Sequence, residues 1–263
     1  MAAARAAPGG APPAAFDPGL SDPRAIALAD LVMQALGGEK AWHATHYVHF
    51  SFVVEKAGKT LARRVHLWDR FAGRLRFDDV DKEGAPVVVL LDLTTRQGEA
   101  YRRGARVDGA AAKPLLDEAY EAWINDTYWL LMPYKMKDPG VHLRDAGEEA
   151  IDGRIYDRVL LTFDAVGLTP GDRYWAYINR VSHLMDRWSY LLQDDPPKSA
   201  PTVWDWRGWR RYGGILLAPE KVSVRKEGSV RIVHPILEVL DTVPAAYFTR
   251  RDPVPDRIAA QGP

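Results

Sequence analysis

From Tyr47 onward the apolar residues repeat with a period of two. Tyr47 to Val54 is a run of aromatic and β-branched residues, and Ala57-Gly58-Lys59 turns it into Thr60 to Asp69. The pattern returns over Phe71 to Asp81, Pro86 to Leu93 and Gly98 to Arg103. Gly73, Lys82-Glu83-Gly84 and Thr95-Arg96-Gln97 stand between these runs as turns. Short segments of this period, punctuated by turn residues, pair as antiparallel hairpins. Seven more runs follow: Val141 to Ala146, Arg154 to Phe163, Arg173 to Asn179, Leu184 to Gln193, Val203 to Trp209, Gly214 to Lys226 and Val230 to Val239.

Two helical patterns interrupt the strands. Asp22 and Pro23 open the first as N-cap and first-turn proline. Its stripe is Ile26, Leu28, Leu31, Val32 and Leu36, and Gly37-Gly38 reads as its stop. The second runs from Lys113 to Leu131, with Leu116, Tyr120, Trp123, Thr127 and Leu130 on one face and Pro133 just beyond its end. There is no βαβ rhythm. The expected fold class is α+β: a strongly curved antiparallel half-barrel of about ten strands, with helices packed on its concave face. Residues 1–23, rich in Ala, Pro and Gly, read as a flexible leader, 24–250 as a single domain and 251–263 as a flexible tail.

Lys plus Arg and Asp plus Glu are both 35, so the net charge is zero. Nucleic acid is therefore not expected as a partner, because phosphate binding draws on a basic surplus. With no cysteine, disulfides and thiolate chemistry are excluded. No apolar run reaches the roughly 18 residues that span a bilayer, and the first residues lack the apolar core of a signal peptide.

Tryptophan is the compositional outlier, with nine residues, and the aromatic load is densest from Tyr120 to Tyr212. Trp123, Tyr128, Trp129, Trp175, Tyr177, Trp188 and Tyr190 are candidates to line a cavity, since rigid rings with polar tips suit an amphipathic ligand. They serve equally as packing between sheet and helix. By strand parity Trp175 and Tyr177 share one face, as do Trp188 and Tyr190, and these hairpin neighbours are expected to bury together. Asn125, Asp126, Asp164, Thr169 and Asp172 offer polar anchors, and Asp126 with Asp164 an acid/base pair; helix and turn chemistry accounts for the same residues, least readily for Asp126, which lies within the helix on the flank of its apolar stripe. His43, His46 and His49 invite a metal, but strand parity splits them across two faces. Ser182 with His183, and His234 with Asp241, lack a nucleophile-elbow motif. Arg207, Arg210 and Arg211 lie among Trp204, Trp206, Trp209 and Tyr212, a combination suited to a membrane surface or to plain cross-strand packing. No catalytic residue, metal or cofactor is assigned.

Three stretches, INDTYWLLMPYKMKDPGV (124–141), DGRIYDRVLLTFDAVGLTPGDRYWAYINR (152–180) and VWDWRGWRRYGGILLAPEKV (203–222), resemble an uncharacterised family of bacterial secreted proteins. That family is in turn similar to the outer-membrane lipoprotein-sorting carriers of the LolA/LolB type. The resemblance covers roughly Leu31 to Phe248. It implies an unclosed barrel with a helical lid, acyl chains between them, no metal and no catalysis. The heavier Trp load and the Asn125-Asp126 pair depart from the carriers.

The expected function is a non-enzymatic binding or carrier protein for a lipid-like molecule or acyl chain. Its location is periplasmic or otherwise secreted, with contact to a membrane surface. The ligand-binding candidates are Trp123, Asn125, Asp126, Tyr128, Trp129, Asp164, Trp175, Tyr177 and Trp188. A hydrolase using Asp126 and Asp164, and a structural module with no ligand, stay open as alternatives.

Overall fold

The computed structural model describes residues 15–164, 169–224 and 230–258. Two helices come first, α1 (Pro23–Ala35) and α2 (Gly38–Ala44). α1 has Asp22 at its N-cap position and Pro23 inside its first turn, as expected, and it buries Ala25, Leu28, Ala29 and Val32; the Asp22 carboxylate makes no capping bond and accepts instead from Asp145 N and Arg144. Gly37 does stop it: its φ is 124°, and a Cβ there would stand 2.7 Å from the Gly214 carbonyl oxygen. The chain then enters α2 at once, a helix that the glycine pair conceals.

The strands are β1 (Tyr47–Lys56), β2 (Lys59–Asp69), β3 (Arg74–Val80), β4 (Pro86–Asp92), β5 (Gly98–Arg102) and β6 (Ala105–Val107). Helix α3 (Ala112–Leu131) follows. Next come β7 (Val141–Ile151), β8 (Arg154–Phe163), β9 (Arg173–Asn179), β10 (Met185–Leu191), β11 (Thr202–Arg207), β12 (Arg210–Tyr212), β13 (Ile215–Leu217), β14 (Glu220–Ser223), β15 (Val230–Val233) and β16 (Leu237–Leu240). One sheet takes fourteen of them in the order β6-β5-β4-β3-β2-β1-β15-β14-β11-β10-β9-β8-β7, with β16 also on β1; β12 and β13 form a separate hairpin. The sheet has fourteen strands rather than about ten: β6 adds a short edge strand after β5, and the last run is cut into β15 and β16. Gly and Pro residues mark the breaks. Gly208, at φ 74°, separates β11 from β12. Pro219 separates β13 from β14, and Pro235 falls between β15 and β16. A proline cannot donate to a ladder.

Helix α3 crosses this sheet. Its first half sets Leu115, Leu116 and Ala119 on Phe77, Val87, Val89 and Ala100 of β3, β4 and β5. Its last turns set Tyr128 and Trp129 on rings of β8 to β11: Phe163, Tyr174, Trp188 and Trp204. In a flat sheet β5 and β8, second and twelfth in the order, would stand about 48 Å apart. Twenty residues of helix reach only about 30 Å. The sheet therefore curls around α3. Its edges, β6 and β7, do not pair with each other, so no closed barrel forms.

Strand register fixes which side chains meet the helix. His66 stands opposite Phe50 and Phe77, and Arg64 opposite Phe52. Lys221 stands opposite Trp206 and Ile232, and Trp188 opposite Trp204 and Ala176. All belong to the face that carries α3. The other face is covered in part by the chain's end. Tyr247 and Ile258 pack on Leu67. The buried Arg76 guanidinium donates to the carbonyls of Tyr247, Arg250 and Asp252 at 3.0, 2.7 and 2.5 Å. Residues 251–258, expected as a loose tail, are thus held by a cation that needs acceptors. Residues 15–22 of the expected leader also make contacts: the Ser21 hydroxyl accepts from Leu143 N at 2.9 Å.

Candidate functional site

The last two turns of α3 lie on a row of indoles. The Trp129 ring is 4.6 Å from Trp188 and 4.9 Å from Trp204, and Trp188 is 5.4 Å from Trp206. Tyr128 stands 5.2 Å from Tyr174 and 5.9 Å from Trp188. Edge-to-face contacts of this kind favour aromatic rings beyond their burial alone. The groove is filled: Trp129, Trp188, Trp204 and Trp206 are all buried. One end is plugged by α2 and the β12–β13 hairpin, where the Tyr134 hydroxyl ties the backbones of Leu36 and Leu216 together. Toward the other end the lining residues Phe163, Tyr174 and Tyr190 are partly exposed.

Buried polar atoms in native proteins are normally hydrogen-bonded. Along this row several are not. The indole nitrogens of Trp188, Trp204 and Trp206 and the hydroxyl oxygen of Tyr128 are buried without a partner among the described residues. Burial pushes the Tyr128 phenol far above its ordinary range, so it stays a neutral donor.

Beside the row lies a buried ion pair. The Asp126 carboxylate, fully buried on α3, accepts two bonds of 2.7 Å from Arg64. It also accepts one of 2.9 Å from His66 Nε2 and one of 2.8 Å from Asn125 Nδ2. Burial alone would raise its pKa; the bonds from His66 and Arg64 outweigh that and hold it below the usual carboxylate range. Parity in Arg64-Val65-His66-Leu67-Trp68 already sets Arg64, His66 and Trp68 on one face. Their partner, some 60 positions on, is not visible in the sequence.

A second buried cluster lies across β1. Lys221 Nζ donates to the Ala218 carbonyl at 2.7 Å and faces His234 Nε2 at 3.0 Å. His234 Nδ1 meets the Ser51 carbonyl at 2.8 Å. Burial holds the Lys221 amine well below its ordinary range. Burial and the facing lysine do the same to His234. Lys221 is not among the expected site residues: it falls within the predicted run Gly214 to Lys226, and its partner His234 lies thirteen positions further on.

The structure does not bring all the expected site residues together. Trp175 and Tyr177 lie on the outer face, opposite Ser189 and Arg187. The expectation that they bury with Trp188 and Tyr190 fails because the hairpin register puts Ala176 and Tyr174 opposite those two. Trp123 sits further back on α3, against Trp68 and Tyr120. Asn125 is exposed. Asp164 is half exposed and binds His142 Nε2 at 2.7 Å, so Asp126 and Asp164 hold different partners. The Asp126 oxygens already accept four bonds, two from Arg64 and one each from His66 and Asn125. Asp172 accepts from Thr169, Tyr174 and the Gln193 backbone and fixes a turn.

Three further sets read from the sequence are scattered. His43 is exposed, His46 meets Asp69, and His49 meets Glu238 on the outer face. The Ser182 hydroxyl accepts from Leu184 N. His234 is buried while Asp241 is exposed. Arg207, Arg210 and Arg211 are exposed and bind Asp205, Tyr212 and the Gly214 carbonyl.

No family model matches the chain, and no curated protein matches it. Solved structures do. A DUF1329 family protein from Desulfovibrio piger is 16% identical, with a TM-score of 0.48 over 87% of this chain and 98% of its own. A LolA superfamily protein from Nitrosomonas europaea is 10% identical, with a TM-score of 0.41 over 86% and 97%. An outer membrane lipoprotein-sorting protein domain from Vibrio parahaemolyticus is 8% identical, with a TM-score of 0.43 over 84% and 97%.

Proposed function

We propose that this chain is a binding protein rather than an enzyme, and that it holds an amphipathic, lipid-like molecule between α3 and the row Trp188–Trp204–Trp206. In this reading the curled sheet is an open half-barrel, with α3 on its concave side as the lid. One observation carries it: the buried donors of three indoles and of Tyr128 share one apolar groove and have no acceptor among the described residues. An apolar wall with a few fixed polar atoms is the lining that amphipathic ligands select. The ligand chain takes over the ring contacts that Tyr128 and Trp129 now make. The Asp126–Arg64 pair pins the middle of the helix while its end moves. On the motifs it shares with secreted proteins, we assign the protein to the cell envelope.

Organic-solvent extraction of the purified protein, followed by mass spectrometry beside a denatured control, tests this. A stoichiometric acyl-chain species is expected, with lower occupancy in Trp129→Ala. An empty protein whose Trp fluorescence is unmoved by fatty acids and phospholipids overturns it. The close packing of the groove favours a second reading, an interaction module with no ligand, and that is the reading such a result would leave.

A further inference from the structure

Lysine is almost never fully buried unless it is paired. Lys221 is fully buried, yet its amine has a carbonyl, an imidazole and an indole face around it. The Trp206 ring centre is 4.4 Å from Nζ, and no carboxylate pairs with the amine among the described residues.

Its position is as informative as its surroundings. Register places Lys221 on the α3 face, directly opposite Trp206. Trp206 touches Trp188, which touches Tyr128. A continuous apolar wall therefore leads from the last turns of α3 to the amine, near the end of the groove that the β12–β13 hairpin closes. The unpartnered indole nitrogens of Trp206 and Trp188 flank that path.

We propose that Lys221 is the anchor for the head group of a long-chain carboxylic acid, which enters the groove head first and lies with its tail toward Tyr128. This rests on the binding reading above and names its ligand class. A carboxylic acid fits because it can cross an apolar groove uncharged, as a phosphate or sulfonate cannot without losing its hydration. At the end of the path its O–H proton passes to the Lys221 nitrogen. The resulting carboxylate accepts from the ammonium and from the Trp206 N–H; no bond to carbon forms or breaks. His234 accepts one of the ammonium hydrogens, and the Ala218 carbonyl another. An ester or an alcohol of the same chain fills the groove but cannot take part in the proton transfer.

Palmitic acid and methyl palmitate, titrated by Trp fluorescence into wild type and Lys221→Met, test the proposal. Wild type should bind the acid about tenfold or more tightly than the ester, the worth of a charged hydrogen bond. Lys221→Met should bind both alike, with the ester's affinity kept. Calorimetry of wild type in two buffers of different ionisation heat adds a readout that survives if the variant fails to fold. Above neutral pH, where the free acid is ionised, the complex should take up about one proton per ligand. Equal binding of acid and ester to wild type, no proton uptake, or an acid preference that persists in Lys221→Met each overturns the anchor and leaves the carrier reading standing. Binding of neither molecule overturns both.

Discussion

The Arg64 guanidinium grips the Asp126 carboxylate through two hydrogen bonds of 2.7 Å, and thereby fastens α3 to β2. Breaking a buried pair from one side leaves a charge uncompensated. Asp126→Asn should therefore lower unfolding stability by about 3 kcal/mol at pH 7, read from urea denaturation. The pH sign follows from the lowered pKa of Asp126. Its stabilisation is complete above the unfolded value of about 3.9 and is lost as pH falls through the lower folded value. The gap between wild type and variant should thus narrow below about pH 4.

Lys221 gives the opposite dependence. Its folded-state pKa is lowered, while the unfolded chain binds a proton up to about pH 10.4. Folding expels that proton, at a cost that is largest at low pH and disappears near pH 10. The stability of Lys221→Met relative to wild type should accordingly decline as pH rises from neutral to about 10. A difference flat across that range in denaturant titrations would refute the neutral amine.

The two faces of the β9–β10 hairpin should respond differently to truncation. Trp188 is 1% exposed and touches rings from α3, β9 and β11. Trp188→Ala should cost about 3–5 kcal/mol and abolish lipid-induced fluorescence changes. Trp175, on the outer face and only partly buried, should cost about 1 kcal/mol or less and leave those changes intact.

Arg76 anchors the chain's end through three backbone carbonyls. Lysine cannot reproduce that fork. In Arg76→Lys, trypsin should cut after Arg250 or Arg251 at least several-fold faster than in wild type, with β3 itself intact by circular dichroism. Equal cleavage rates would show that the packing of Ile258 and Tyr247 holds the segment without the guanidinium.

Local features were legible from the residues. The period-two runs and the stripe of α3 place most strands and the crossing helix, because both signals lie within a dozen neighbours. Parity also paired Trp188 with Tyr190 and Trp175 with Tyr177 correctly. Which pair faces the helix depends on hairpin register, and Ala176 opposite Trp188 decides it. Asp126 read as a flank residue of an amphipathic helix. It is buried because a sheet that curls covers a helix on more than one side, a consequence of pairings between distant strands. Arg64 and Lys221 looked like ordinary strand charges for the same reason.

The sheet is joined at a single seam, where β1 meets β15 and β16. Val53 pairs there with Val233, 180 positions later. A chain emerging N-terminus first completes β2 to β6 while one side of β1 still has no neighbour, and an unpaired edge is a template for foreign strands. The seam closes only after β15 and β16 have been made, and pairings this distant in sequence form slowly. Any product cut short before residue 230 would carry that adhesive edge permanently.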